Sequence, residues 1–324
     1  MVPFQTRPLK LVRLFLLPGP AASFGEHAQN GINLAMKEIN TAGGIDGKKV
    51  ELVIEDDKTS PKDAVSAFNK VVEVDHVQAV VGGLWDFLAQ PLQPLALQTQ
   101  TVFISPSNFR IADRFEMSAQ SFVMLPEFKN VLHTLDTYLK RDNVKKIAVV
   151  HFTSSFGNEI ARAISEMSSL DGKGEIINES YGEIGTNDFR TIITKLKREN
   201  PDTVFLDMVD IDTVNFLKRS KELGFTPKFI TYVGAYDAFK TADLYLLSGV
   251  TVLDWDISSA TFTEKYEKEY GVKPAKSAER AYQSVYVLAE AIAKSESKNE
   301  VAKYVESHSF TTPSKTINFL STHE

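Results

Sequence analysis

The sequence predicts an α/β protein with parallel sheets covered by helices on both faces. Two observations carry this reading. Short apolar or β-branched runs alternate with helical patterns along most of the chain, and those patterns have one apolar stripe each, with recognisable starts and stops. The chain has 324 residues, enough for two domains.

The first run lies in "LKLVRLFLLPGP". The N-terminal stretch resembles a signal peptide in charge order. Its uninterrupted apolar run is only Leu14 to Leu17, short of the roughly 7–15 residues of an export h-region, so it is read as a first strand. Further strands are expected at Val50–Ile54, Ala79–Val81, Val102–Ile104, Ile147–Val150, Thr203–Leu206, Phe229–Thr231 and Val250–Leu253. In "SPKDAVSAFNKVVE", Ser60 is a predicted N-cap, Pro61 the first helical residue and Asp63 a first-turn acid. Ala64, Ala67, Phe68, Val71 and Val72 then form one face. Phe189, Ile192, Ile193 and Leu196 make a second stripe. "DTVNFLKRSKELGF" ends on Gly224, a suitable residue after a helix end. "AGGIDG" reads as a helix end and turn, "KSESKNE" as a charged surface turn, and Glu55-Asp56-Asp57 as a solvated strand exit.

Composition excludes several classes. There is no cysteine, so disulfides, thiolate zinc sites and cysteine nucleophiles are absent. A net charge of −6 leaves no basic footprint for nucleic acid. No stretch approaches the roughly 20 apolar residues of a membrane-spanning helix. Neither a nucleophile elbow, a P-loop nor an H-E-x-x-H pair occurs. His151 is the one plausible acid–base residue, and a satisfied loop histidine is the simpler reading. The chain is expected not to be an enzyme, and no cofactor or metal is expected.

Open parallel sheets bind ligands beyond the carboxyl ends of their strands. Those exits read "GPAASFG", "GGLWDF", "SPSNFR", "HFTSSFG", "DMVDID" and "YVGAYD". Aromatics, acids and small residues recur there. Phe24, Trp85, Phe109, Phe156 and Tyr236 are expected to converge on one pocket. The alternative for Trp85 is packing beneath the following helix; for Asp86 it is a solvated first-turn position.

"GPAASFGEHAQNGINLAMKEINTAGGIDGKKVELVIEDDKTSPKDAVSAFNKVV" resembles the N-terminal lobe of type I periplasmic binding proteins, in the leucine/isoleucine/valine-binding branch. "ISPSN", "IAVVHFTSSFGNEIA", "DFRTIITKLKRENPDTVFL", "ELGFTPKFI" and "YGVKPAKSAERAYQSVYVLAEAI" continue the likeness in order. The resemblance implies two Rossmann-like lobes with parallel sheets, joined by a multi-strand hinge. Lobe 1 would take 1–124 and 255–312, and lobe 2 would take 125–254 and 313–324. Val12, Arg13 and Pro18 depart from the family's first strand. The family also continues beyond "TINFLSTHE", which implies a short C-terminal segment.

The implied function is capture of a small molecule for an ABC importer, outside the cytoplasmic membrane, by a monomer that engages permease and ATPase subunits. A signal peptide would lie outside this numbering. A receptor module of the same fold is the alternative. In the family, lobe 1 hydroxyls and backbone N–H groups hold the ligand carboxylate, and a lobe 2 acid holds the ammonium group. Here Asp86 and Phe109 stand at the hydroxyl positions, and the acid position falls near Val233. Three ligand classes stay open. An amino acid would use Asp207 or Asp210 for its ammonium group, with Ser105 and backbone near Asn108 for its carboxylate. A quaternary amine would use Asp86 among Trp85, Phe24, Phe109 and Phe156. An aromatic or aliphatic acid would pair with Arg110.

Overall fold

A computed structural model describes residues 9–14, 22–106, 118–124, 128–167, 169–170, 174–208, 210–232, 246–253 and 258–319; the side chains of 9–14, 22–24 and 210 fall outside the description. By its contacts the chain divides into two compact units. One comprises Met1–Phe109, Asp113–Leu125 and Ser258–Glu324, the other Arg110–Ala112 and Pro126–Ile257.

The first unit opens with β1 (Leu9–Leu14), α1 (Ala22–Thr41), β2 (Val50–Glu55), α2 (Pro61–Glu73), β3 (Ala79–Gly82), α3 (Asp86–Ala89), α4 (Leu92–Thr99), β4 (Val102–Ser105) and β5 (Ser121–Val123). The second unit holds α5 (Lys129–Arg141), β6 (Lys146–Phe152), α6 (Ser155–Ser165), β7 (Glu175–Tyr181), α7 (Arg190–Glu199), β8 (Thr203–Asp207), α8 (Asp210–Glu222), β9 (Lys228–Tyr232) and β10 (Val250–Leu253). The chain then completes the first unit with α9 (Ala260–Tyr270), α10 (Lys276–Ala293), α11 (Lys298–Ser307), β11 (Ser309–Thr311) and β12 (Thr316–Asn318).

Each unit is built on a parallel five-stranded sheet, in the order β2-β1-β3-β4-β5 and β10-β9-β8-β6-β7. Strand alternation sends successive side chains to opposite faces. In the first unit, Ala79, Val81, Val102 and Ile104 meet α1 and α10 residues such as Ala35 and Leu288. Val80 and Phe103 meet Phe68, Val71 and Leu92 on the other face. In the second, Ile147, Val149, Phe205 and Ile230 share one core with Ile160 and Leu135, while Ala148, Val150, Val204 and Leu206 share another with Ile193 and Phe216. Both faces are dry, which is why these strands read as unbroken apolar runs.

The helix predictions hold in detail. Ser60 caps α2, its hydroxyl accepting the Asp63 N–H, and the buried face is Ala64, Ala67, Phe68, Val71 and Val72. Phe189, Ile193 and Leu196 are buried along α7, with Ile192 half-buried. Gly224 follows α8 with φ of +64°. Glu38 of α1 gathers donors from two other helices. It accepts from Tyr286 at 2.9 Å, from Lys265 at 3.0 Å and from Tyr282, which ties α9 and α10 to α1.

Two expectations are corrected. The tail was assigned to the second lobe, but its described residues belong to the first unit. There β11 and β12 form an antiparallel hairpin, and buried Phe319 packs edge-on against Phe122 and Phe310. Apolar burial against the sheet that carries Phe122 outweighs any solvated path for this segment. Glu55-Asp56-Asp57 was read as solvated, yet Asp57 is only 1% exposed. The chain turns sharply behind it, with Lys58 and Thr59 at φ of 49° and 57°. The Asp57 carboxylate accepts the Thr59 N–H at 3.0 Å.

Burial, with repulsion from Asp56 and Asp63, pushes Asp57 up to about 6 against only that backbone hydrogen bond. Its folded pKa therefore lies above the unfolded value of 3.8. The folded state holds the proton more tightly, so this group costs stability as pH rises from about 4 to about 6. The cost is fully present at neutral pH, on the order of 3 kcal/mol. Asp57→Asn keeps the acceptor oxygen. It is expected to raise the thermal midpoint at pH 7.5 and to leave it nearly unchanged at pH 4, as read by scanning calorimetry at both pH values. An equal shift at both would contradict the assignment.

Candidate functional site

The strand exits of each unit carry the candidate groups. In the first unit, β3 runs out through Gly83, whose φ is +61°. A Cβ there would lie 2.9 Å from Ala89, so the chain needs glycine to turn into α3. Trp85 and Phe87 stack with centroids 5.8 Å apart and planes at 14°. Both rings are half-buried and pack against the core formed with α2 and α4. Asp86, between them, is 7% exposed. It is the first residue of α3, but it is buried rather than turned to solvent. Ser105, at the end of β4, donates its hydroxyl to the Gly83 carbonyl at 2.7 Å, which ties the two exits together.

In the second unit four of the five strand exits are aromatic or acidic. The last residues of its five strands are Phe152, Tyr181, Asp207, Tyr232 and Leu253. Asp207 is 6% exposed and accepts the Tyr232 hydroxyl at 2.6 Å. The Tyr232 ring lies parallel to Phe205 at 6.3 Å and takes the edge of Phe128 at 5.0 Å. Phe128 in turn meets Phe156 edge-on at 5.2 Å. Phe156 is half-buried in the first turn of α6, a helix capped by Ser154 through the Gly157 N–H at 3.0 Å.

His151 is the ladder partner of Asp207 across β6 and β8, so the two side chains share a face. It is buried, with Nδ1 2.9 Å from the Phe152 carbonyl. Its Nε2 has no hydrogen-bond partner among the described residues. A Cβ on Gly157 would fall 2.5 Å from His151 Nδ1, so the glycine lets α6 start directly over this imidazole.

Asp212 is a different buried carboxylate. It accepts the Gly185 N–H at 2.8 Å, and its neighbours belong to the opposite face of the sheet. Burial pushes it up to about 6, partly offset by the Tyr181 hydroxyl and the Gly185 and Thr186 N–H groups.

Of the sequence-predicted residues, Asn108, Phe109 and Tyr236, with Arg110, lie outside the described residues. Phe24 and Asp210 stand in the first turns of α1 and α8, and their side chains lie outside the description. Trp85, Asp86 and Ser105 come together at the β3 and β4 exits of the first unit. Phe156 and Asp207 sit on neighbouring exits of the second. Sequence reasoning passed over Tyr232 and Phe128. Tyr232 was visible as the opening residue of the "YVGAYD" exit, whereas Phe128 sits in no pattern that would single it out. Among the described residues, no helix is long and apolar enough to cross a membrane, and no acid–histidine group could hold a metal ion.

Comparison with known proteins gives a consistent picture. The chain is 29% identical over 224 residues to an amino acid binding protein of Pseudomonas aeruginosa, covering 66% of this chain and 57% of that one. It is 27% identical over 227 residues to the Leu/Ile/Val-binding protein of Escherichia coli K12, covering 68% and 60%. The match thus spans about three fifths of the length of these curated relatives. Among solved structures, the branched-chain amino acid transporter substrate binding protein LivJ of Streptococcus pneumoniae, in complex with isoleucine, superposes with a TM-score of 0.85. It shares 24% identity and covers 98% of this chain and 93% of that one. A solute binding protein of an ABC transporter from R. palustris, in complex with benzoate, gives 0.81 at 17% identity, covering 96% and 89%. The periplasmic binding protein family model matches residues 9–323. With two parallel doubly covered sheets and ligand-type groups gathered at their strand exits, the chain belongs to the periplasmic binding protein family.

Proposed function

We propose that this protein is the extracytoplasmic solute-binding component of an ABC importer and that it captures an amino acid, branched-chain or related. The observation that carries the reading is the family match over residues 9–323, joined to two curated relatives named for amino-acid and Leu/Ile/Val binding. The chemistry at the exits supports it. Within the second unit, Asp207 at the β8 exit suits an ammonium group. The half-buried rings of Trp85 in the first unit and of Phe156 in the second each leave apolar surface at the strand exits of their own unit. Asp86 is the acid of the first unit's share. The partners in this reading are the permease and ATPase subunits of the importer, and the location is the periplasm or outer cell surface.

A second reading is favoured by the Trp85–Phe87 stack, which offers a flat platform to an aromatic acid. A thermal-shift panel of amino acids, quaternary amines and aromatic or aliphatic acids separates the two. A ligand present at 100 times its dissociation constant adds about 2.7 kcal/mol of stability. The expected result is a shift with leucine, isoleucine or valine. A shift with benzoate-like acids alone would move the assignment to the second reading, and one with quaternary amines alone to an Asp86-centred site.

A further inference from the structure

The segment between β7 and α7, Gly182 to Phe189, leaves the second unit's sheet at a strand exit, the end at which open parallel sheets bind ligands. Two side chains of α8 hold it. Asp212 accepts the Gly185 N–H at 2.8 Å. Asn215 donates to the Thr186 carbonyl at 3.0 Å and to Asn187 Oδ1 at 3.1 Å. The two pins differ in kind. Asn215 is an uncharged donor, whereas Asp212 is a carboxylate with no exposed surface. Its Oδ2 has no hydrogen-bond partner among the described residues. The groups that favour its charged form are the Tyr181 hydroxyl of β7 and the Gly185 and Thr186 N–H groups, and all of them are neutral. The charged side chains of the segment and of the start of α7, Glu183, Asp188 and Arg190, are exposed. Asp207 and His151 lie on the other face of the sheet, with Phe205 and Val149.

We propose that Asp212 makes the 182–189 segment a pH-controlled latch on the second unit: the neutral acid keeps the segment docked on α8, and the ionised acid releases it. An enclosed carboxylate with one oxygen unpaired holds its proton more tightly than a solvated one. Burial pushes Asp212 up to about 6 from 3.8. Undocking admits water to the carboxylate and returns it to its ordinary value. Because the docked form holds the proton more tightly, docking is strongest below about pH 4. It weakens as pH rises to about 6 and is level above that. The latch is independent of which solute the chain captures. It sets how readily one segment of the second unit's exit surface opens.

The test is hydrogen exchange of the full chain, read by mass spectrometry at pH 4.5, 6.5 and 8 and corrected for intrinsic exchange rates. Wild-type peptides covering Gly185 and Thr186 are expected to lose about 20-fold in protection between pH 4.5 and 6.5. From pH 6.5 to 8 they should change less than about 2-fold. Asp212→Asn keeps an acceptor for the Gly185 N–H and cannot ionise. It is expected to hold the protection of the acid form at all three pH values. Asn215→Ala removes the other pin, and is expected to lower protection at every pH while leaving the step in place. Wild-type protection that is flat across the series would overturn the proposal, as would a step that persists in Asp212→Asn. A segment as protected as β8 at every pH opens only with the whole unit, and that result also overturns it. If Asp212→Asn does not fold, the step in Asn215→Ala decides: its presence supports the latch and its absence removes it.

Discussion

Gly31→Ala is expected to destabilise the protein by about 3 kcal/mol or more. In an isolated helix the same change would add roughly 1 kcal/mol of stability, because alanine restricts the unfolded chain and favours the helix. The sign reverses here because α1 and α10 cross at this residue. A Cβ on Gly31 would stand 2.0 Å from the Ala278 carbonyl oxygen, 2.8 Å from its carbon and 3.1 Å from its Cα. Those are backbone atoms of a helix and cannot swing aside. Relief requires the helices to separate, and α10 holds much of the first unit's core, including Tyr282, Val285, Leu288 and Ile292. Urea denaturation of wild type and variant reads the effect. A variant as stable as wild type, or more so, would contradict the close crossing.

Phe128→Ala carries the second large expected effect. Phe128 is 1% exposed and precedes α5 as its N-cap residue. Truncating a buried phenylalanine costs roughly 3–5 kcal/mol, through lost transfer energy and the cavity left behind. Here two edge-on contacts go with it, to Phe156 and Tyr232. The damage is therefore expected to stay in the second unit and to reach Asp207 through Tyr232. Hydrogen exchange followed by mass spectrometry checks the location. Amides of β8, β9 and α6 should exchange faster, and those of α1 and α10 should not change. Uniform acceleration throughout the chain would mean that the cluster does not belong to one unit.

These two positions also show where the sequence was readable and where it was not. Strands buried on both faces, such as Val102–Ser105 and Thr203–Asp207, announce themselves as apolar runs. The α2 face was readable residue by residue because cap, proline and stripe agree. Four strands went unread: the hairpin pair Ser309–Thr311 and Thr316–Asn318, and two at the edges of the parallel sheets, Ser121–Val123 and Glu175–Tyr181. Of the two edge strands, Ser121–Val123 is only three residues long, and Glu175–Tyr181 exposes alternate polar side chains. Neither produces an apolar run. Gly31 looks like a weak point in a helix until the opposing carbonyl of Ala278 is placed. Asp57 reads as one of three solvated acids, and only the turn behind it shows that it is enclosed. At the candidate site, Asp207 could be picked out by its place after a strand. Its bond to Tyr232 joins residues that no local pattern connects, and Phe128 supports that bond from a third segment.

The central claim is amino-acid capture, and its most direct measurement is calorimetric titration of the purified chain with L-isoleucine and L-leucine. The account predicts saturable binding of one ligand per chain, with a dissociation constant of about 1 μM or tighter, equivalent to about −8 kcal/mol. Absence of saturable heat with either amino acid, at protein concentrations where the fold is intact by thermal melting, would contradict it.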